Sequence, residues 1–138
     1  RIWARVQGAQ APAFDEDAAL RRFLEQEAEC VVFERCLSRR VPAVVPLWRC
    51  SCERLRTLRT FWFLRTGERY VLLPQCALQH DFAQDLRTAY HAAVKRADRY
   101  ADAAAQSGEE TLRAAYRTFS DDLRAHAGRL RGILRQIL

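Results

Sequence analysis

The chain has 138 residues, of which 49% are hydrophobic, and this is enough for one domain with a buried core. The composition excludes a disordered chain, and the scattered five glycines and four prolines exclude a collagen-like or linker sequence. The net charge is +6, from 23 basic and 17 acidic residues, and Lys95 is the only lysine. Because arginine pairs well with carboxylates and phosphates, the charge leaves both acidic proteins and nucleic acid open as partners.

The stretch 1–14 predicts an extended arm anchored by Trp3. It contains two arginines and no acidic residue, which is typical of sequences in or next to an organelle presequence, and the chain starts with Arg1 instead of methionine. The five cysteines are an odd number without regular spacing, which favours a reducing compartment. The longest uncharged run of the first half, 41–48, is far shorter than the roughly 20 residues that span a bilayer. We therefore expect a mitochondrial protein without a transmembrane segment, in the matrix or peripheral to a membrane.

A first helix is predicted from Asp15 to about Ser38, followed by a loop over 39–45. The acidic residues at its start, Asp15 to Asp17, lie at the positive end of the helix dipole. Apolar residues then recur at helical spacing and predict the buried face. These residues are Leu20, Phe23, Leu24, Ala28 and Val31, with Cys30, Phe33 and Leu37 at the margin.

A second helix is predicted to begin at Pro46, because a proline in the first turn costs no hydrogen bond. Its expected core residues are Trp48, Cys52, Leu55 and Leu58, while Arg49, Glu53, Arg54 and Arg56 are expected to face elsewhere. Two β-prone runs, 61–64 and 70–73, then flank a turn and predict a short β-hairpin over 60–73. Continuation of the helix to about Leu64 is the alternative.

The last part of the chain, 75–138, is predicted to form a long antiparallel helical hairpin. Two stripes of apolar residues repeat at steps of three and four, from Leu78 to Ala104 and from Leu112 to Ile137. Between them, Gly108 favours a left-handed helix exit, and Ser107 with Glu110 predicts a capping box. Since each arm would reach about 45 Å, we expect the hairpin to extend past the N-terminal half and leave apolar surface uncovered.

Together these elements predict a mainly α fold in one structural unit. The unit comprises the arm 1–14, a helical part over 15–74 that includes the short β-hairpin, and the antiparallel helical hairpin over 75–138.

Two groups of residues are candidates for chemistry. Cys50, Cys52, Cys76 and His80 could complete a tetrahedral zinc site, although two cysteines separated by one helical residue point in different directions. Ser120, Asp121, Asp122 and His126 have the residue types of a hydrolase triad, but no nucleophile elbow or oxyanion loop accompanies them. The sequence therefore predicts no catalytic residue, no cofactor and no metal. It predicts core positions for the cysteine thiols and a partly buried position for His126.

The leading hypothesis is a non-catalytic accessory subunit of a large mitochondrial assembly, such as a respiratory-chain or ATP-synthase complex. A mitochondrial ribosomal protein that contacts RNA through its arginines is the first alternative, and a small metal-dependent factor is the second. No small-molecule substrate is expected. The residues predicted to bind other subunits are Trp3, Arg39, Arg40, Arg49, Arg54, Arg56, Arg59, Tyr100 and Leu112.

Overall fold

The structure, a computed structural model, describes residues 13–71 and 80–137. These residues form four α-helices: α1 (Glu16–Arg40), α2 (Val45–Thr66), α3 (Phe82–Gln106) and α4 (Glu110–Ile137). A 3-10 turn, Pro42–Val44, joins α1 to α2. The predicted mainly α fold is confirmed, and no strand occurs in the two described ranges.

The helix ends follow local capping chemistry. The Asp15 side chain accepts a hydrogen bond from the Ala18 backbone N–H and caps α1, as its acidic start predicts. Asp81 caps α3 in the same way, through the Gln84 N–H. Pro46 lies in the first turn of α2, as expected. At the other end of α2, Gly67 adopts φ 75°, the left-handed conformation that glycine reaches without strain.

The predicted C-terminal helical hairpin is confirmed. Helices α3 and α4 contain 25 and 28 residues, and the short connection 107–109 turns the chain back so that they pack against each other along their length. The hairpin begins at Phe82, and the preceding stretch 75–79 lies outside the described residues.

The N-terminal half is a second antiparallel helical hairpin. Arg65, near the end of α2, donates a hydrogen bond to Asp17, near the start of α1. Helix α3 also runs antiparallel to α1, because Ser107 bonds Glu16 at one end of the molecule and Asp85 bonds Arg40 at the other. Helices α2 and α3 therefore point in the same direction, and the connection 67–81 joins opposite ends of a four-helix bundle.

The β-hairpin predicted over 60–73 is wrong in its described part, because α2 continues through the first β-prone run to Thr66. Packing explains this result. Leu58 and Trp62 are one helical turn apart on the buried side of α2, and the Trp62 ring is covered by the Arg21 guanidinium of α1 at 5.8 Å. Burial of this tryptophan outweighs the β propensity of its neighbours. Residues 72–73 lie outside the described residues.

The buried face of α2 is rotated by about one residue from the predicted one. The buried side chains are Leu47, Ser51, Arg54, Leu58 and Trp62, whereas Trp48, Cys52 and Leu55 are only half-buried. The cause is a buried carboxylate on α1 that draws the charged Arg54 side chain inward. The spacing of apolar residues alone does not reveal this ion pair between Arg54 and Glu27.

The expectation of an uncovered apolar stripe is also wrong. Helices α1 and α2, with 25 and 22 residues, are nearly as long as the C-terminal pair. They bury the stripes of α3 and α4 from Leu86 to Leu130. Among the described residues of this hairpin, the exposed large apolar side chains are Phe82 and Ile137 near its ends and Val94 on α3, with 44%, 38% and 37% exposed.

The turn between α3 and α4 differs from the predicted one in two respects. Gly108 does not have a positive φ, so it makes no left-handed exit. Ser107 forms no capping box with Glu110; its backbone N–H caps the end of α3 by donating to Ala103. Its hydroxyl and the Gly108 N–H both donate to the Glu16 carboxylate. The turn is therefore fixed by α1, a long-range contact that the local sequence does not reveal.

Candidate functional site

A carboxylate without exposed surface, Glu27 of α1, lies at the middle of the bundle. Its Oε1 atom accepts hydrogen bonds from Arg96 Nη1 at 2.8 Å and Arg54 Nη1 at 3.2 Å. Its Oε2 atom accepts one from the Tyr100 hydroxyl at 2.7 Å. Because all three donors are themselves buried, these are charge-assisted bonds shielded from water, and they tie α1 to α2 and α3.

A second buried carboxylate, Glu34, lies two helical turns further along α1. It accepts a hydrogen bond from His126 of α4 at 3.0 Å, and Arg96 Nη2 lies 3.7 Å away. Burial alone would raise the pKa of Glu34, but the hydrogen bond and charge of His126, together with the charge of Arg96, outweigh burial and lower this pKa. All four helices therefore contribute to one buried ion network, formed by Glu27, Glu34, Arg54, Arg96, Tyr100 and His126.

In the ion network two carboxylates face two guanidinium groups and the His126 imidazole. Burial would lower the pKa of Arg96, yet the charge of Glu27 and other neighbours raises it, so this side chain holds its proton firmly. Burial, reinforced by the charge of Glu27, raises the pKa of Tyr100 well above its ordinary value. Because Arg96 and Tyr100 keep their protons, both can donate hydrogen bonds to Glu27 and hold the helices in one register. Some buried polar residues are known to have this role.

The sequence contained a signal for this network that the apolar pattern concealed. Glu27 and Glu34 are seven residues apart and lie on the same face as Leu20 and Leu24. Arg96 lies on the α3 stripe between Ala93 and Tyr100. Charged residues of opposite sign on the inward faces of different helices indicate a buried pair.

The structure places the predicted partner-binding residues in different surroundings. Arg54, Tyr100 and Leu112 are 4%, 0% and 2% exposed, so they belong to the interior and offer no surface to a partner. Arg40 bonds the Asp85 carboxylate and the His80 carbonyl. Exposed side chains are found at Arg39, Arg49, Arg56 and Arg59, whereas Trp3 lies outside the described residues.

Two of the exposed arginines line a surface groove of about 580 Å³ between α1 and α2, here called the arginine groove. Arg56, Arg59 and Arg69 supply its charge. Val31, Leu55, Phe63 and Tyr70 supply its apolar surface. No described lining residue is acidic. Tyr70 is held in place by an edge-on contact with Trp62, with ring centroids 6.3 Å apart.

The candidates for metal binding and catalysis are not brought together in the described ranges. Cys50 is exposed, Cys52 is half-buried, and Cys76 lies outside the described residues. No three His, Cys, Asp or Glu residues of 13–71 and 80–137 are grouped as metal ligands. Ser120 donates its hydroxyl hydrogen bond to the Ala97 carbonyl, whereas His126 pairs with Glu34, so these two residues do not form a triad.

The free thiols differ strongly in their surroundings. Burial raises the pKa of Cys30 to about 12, and the positive charge of Arg96 only partly opposes this effect. Burial also raises the pKa of Cys52, and the charge of Glu34 adds to the shift. Both side chains are therefore thiols at neutral pH. The predicted core role is wrong for Cys50, which is exposed, and Cys30, Cys36 and Cys52 are only half-buried.

Comparison with known proteins identified no relative: no protein-family model, no curated protein and no solved structure matches the chain. Among the helices of the described ranges, none combines the length and the apolar character that crossing a bilayer requires.

Proposed function

We propose that this protein is a non-catalytic accessory subunit of a large assembly, which it joins through protein contacts at the arginine groove. The observation that carries the proposal is unpaired positive charge beside exposed apolar surface. Arg56 and Arg59 have no carboxylate of the described residues within ion-pair distance. Phe63, between them and the end of α2, is 50% exposed. Arginine and aromatic residues are enriched at the centres of protein interfaces.

The contrast with Arg65 supports this choice of surface. Arg65 is on the same helix, yet it pairs with Asp17 at 2.6 Å and Glu109 at 2.9 Å, so its charge is used within the chain. Leu64 and Val71, next to the groove residues, are 72% and 74% exposed. Apolar side chains of this size gain free energy when a partner covers them.

The assembly we propose is mitochondrial, a respiratory-chain or ATP-synthase complex. The support for this location comes from the sequence, namely the acid-poor stretch 1–14 and the odd number of cysteines. An import assay with isolated mitochondria and the protein as the cell synthesises it tests this location, and failure of uptake would contradict it.

Sedimentation tests the proposal itself. The organelle is solubilised in a mild detergent, and the extract is run on a gradient with and without nuclease. We expect the protein to travel with a large particle whose position nuclease does not change. A free monomer in both gradients would refute an accessory-subunit role.

A ribosomal protein that contacts RNA is the second candidate, because arginines can neutralise phosphates and Phe63 can stack on an unpaired base. It predicts that nuclease moves the protein to a smaller particle. It also predicts a steep loss of binding with rising salt, since each neutralised phosphate releases counterions.

A further inference from the structure

Resting on the proposed function, we propose that the arginine groove binds a short acidic amphipathic segment of a partner protein. In this arrangement carboxylates of the segment pair with Arg56, Arg59 and Arg69. Its apolar side chains cover Leu55, Phe63 and Tyr70.

Charge complementarity determines the acidic character of the occupant. Three guanidinium groups line the groove, and no described lining residue is acidic. The connection between α2 and α3 carries two acidic residues, Glu68 and Asp81, and neither of them lines the groove. A carboxylate from another chain can meet each guanidinium in a bidentate pair.

The apolar lining of the groove indicates that its occupant also has an apolar face. Val31 and Leu55 are half-buried and Phe63 is half-exposed, so the groove presents aliphatic and aromatic surface between its arginines. A purely polar acidic tail would leave this surface in contact with water. An occupant with a stripe of Leu or Phe side chains would remove this surface from water, which favours binding.

The groove also has a defined length. Its α2 residues follow the helical repeat from Cys52 to Phe63, through Leu55, Arg56 and Arg59. At about 1.5 Å per residue this stripe is about 16 Å long, which matches a helix of about 11 residues. A segment with apolar residues at i, i+3, i+4 and i+7 presents one continuous face over that distance.

The same observations favour a protein segment over RNA. The groove contains three arginines, which can neutralise only a few phosphates of a nucleic acid. A fourth nearby arginine, Arg65, is paired within the chain.

Peptide binding measured by fluorescence anisotropy tests the inference. The probe is a labelled peptide of about 12 residues, with leucine at the helical repeat and glutamate elsewhere. A matched peptide has glutamine in place of glutamate, a second has the acidic residues in scrambled order, and labelled oligouridylate represents RNA. We expect the acidic amphipathic peptide to bind best.

Matched variants locate the binding to the groove. The double variant Arg56→Glu with Arg59→Glu should weaken binding of the acidic peptide at least about tenfold, since attraction becomes repulsion at two positions. Arg87→Glu with Arg129→Glu changes the same charge at exposed positions of α3 and α4 and should have little effect. Phe63→Ser should weaken binding several-fold, whereas Val94→Ser, on α3, should not. Circular dichroism of each variant confirms that it is folded.

Equal binding of the glutamine peptide, equal loss in both double variants, or tighter binding of oligouridylate would overturn the inference, as would no binding at all. These outcomes are distinct from failure of the proposed function. If the protein sediments with a nuclease-resistant particle but binds no acidic peptide, only the partner chemistry is wrong. If the peptide binds in the groove but the protein sediments alone, the accessory-subunit role is wrong and the groove's preference stands.

Discussion

Glu27 accepts hydrogen bonds from Arg54, Arg96 and Tyr100 in a position without solvent access. A buried carboxylate is stabilised only by its hydrogen-bond partners, and the buried guanidinium groups in turn need the carboxylate to compensate their charge. Glu27→Gln keeps the volume of the side chain but leaves two guanidinium groups facing a neutral amide. We expect the free energy of unfolding to fall by about 3–5 kcal/mol, measured by urea denaturation.

Glu29→Gln is the control for this substitution, because Glu29 is exposed on the same helix. Its effect should stay within about 0.5 kcal/mol. If both variants unfold at the urea concentration of the wild type, the ion network does not stabilise the bundle.

Two buried tyrosines provide a matched test of one hydrogen bond. The Tyr100 hydroxyl donates to Glu27, whereas the Tyr116 hydroxyl is buried without a hydrogen-bond partner among the described residues. Tyr100→Phe should lower the free energy of unfolding by about 1.5–3 kcal/mol, because the lost bond is to a charged group. Tyr116→Phe should be neutral or slightly stabilising, and thermal unfolding of both variants compares them directly. Equal destabilisation would contradict the assignment.

Glu34 makes stability depend on pH. Its pKa is below the ordinary value of 4.5, so the native state favours the ionised carboxylate more strongly than the unfolded chain does. The resulting stabilisation is present above the pKa of the unfolded chain and is lost as the pH falls through the native pKa. The stability difference between the wild type and Glu34→Gln should therefore be largest at about pH 6 and shrink toward pH 3. A difference that does not change with pH would contradict this expectation; urea denaturation across the pH range measures it.

The sequence correctly predicted the buried residues of those helices whose inward face is apolar. The stripes of α3 and α4 are regular and fall almost entirely on buried positions, so periodicity was sufficient for the hairpin. For α2 the inward face includes Ser51 and Arg54, and the outward side carries Leu55 and Phe63. The apolar periodicity therefore predicted a buried face of α2 that is rotated by about one residue from the observed one. For the same reason the sequence did not predict the arginine groove. Leu55 was expected in the core, but it lines the groove.

The end of α2 was predicted as strand and turn because the residues before Gly67 have β propensity. The structure uses Gly67 instead as a helix terminator at φ 75°. Gly67→Ala should cost about 1–2 kcal/mol, since a side chain strains the left-handed conformation even where space is free. Gly108→Ala is the control, because Gly108 has neither a positive φ nor a neighbour within 4 Å of an added Cβ. A comparison of melting temperatures measures both effects, and equal values would refute the role of Gly67.

The described residues form two helical hairpins of similar length, joined at the centre by the ion network and at the ends by Arg40 with Asp85 and Ser107 with Glu16. This arrangement could not be predicted from either half. These hydrogen bonds between the two hairpins join residues that are 45 to 92 positions apart, and no local pattern connects them. Among the described residues, the two most exposed large apolar side chains are Leu64 and Val71, at the end of α2 and just after it, beside the arginine groove.

Site-specific photocrosslinking in the source cells tests most directly whether this surface contacts a partner. A photoreactive amino acid replaces Arg59 in the groove or, as the control, Arg129 on the exposed side of α4. We predict a discrete protein adduct from position 59 that resists nuclease, and no such adduct from position 129. Adducts of equal yield from both positions, or a nuclease-sensitive adduct from position 59, would contradict a protein-binding role for the groove.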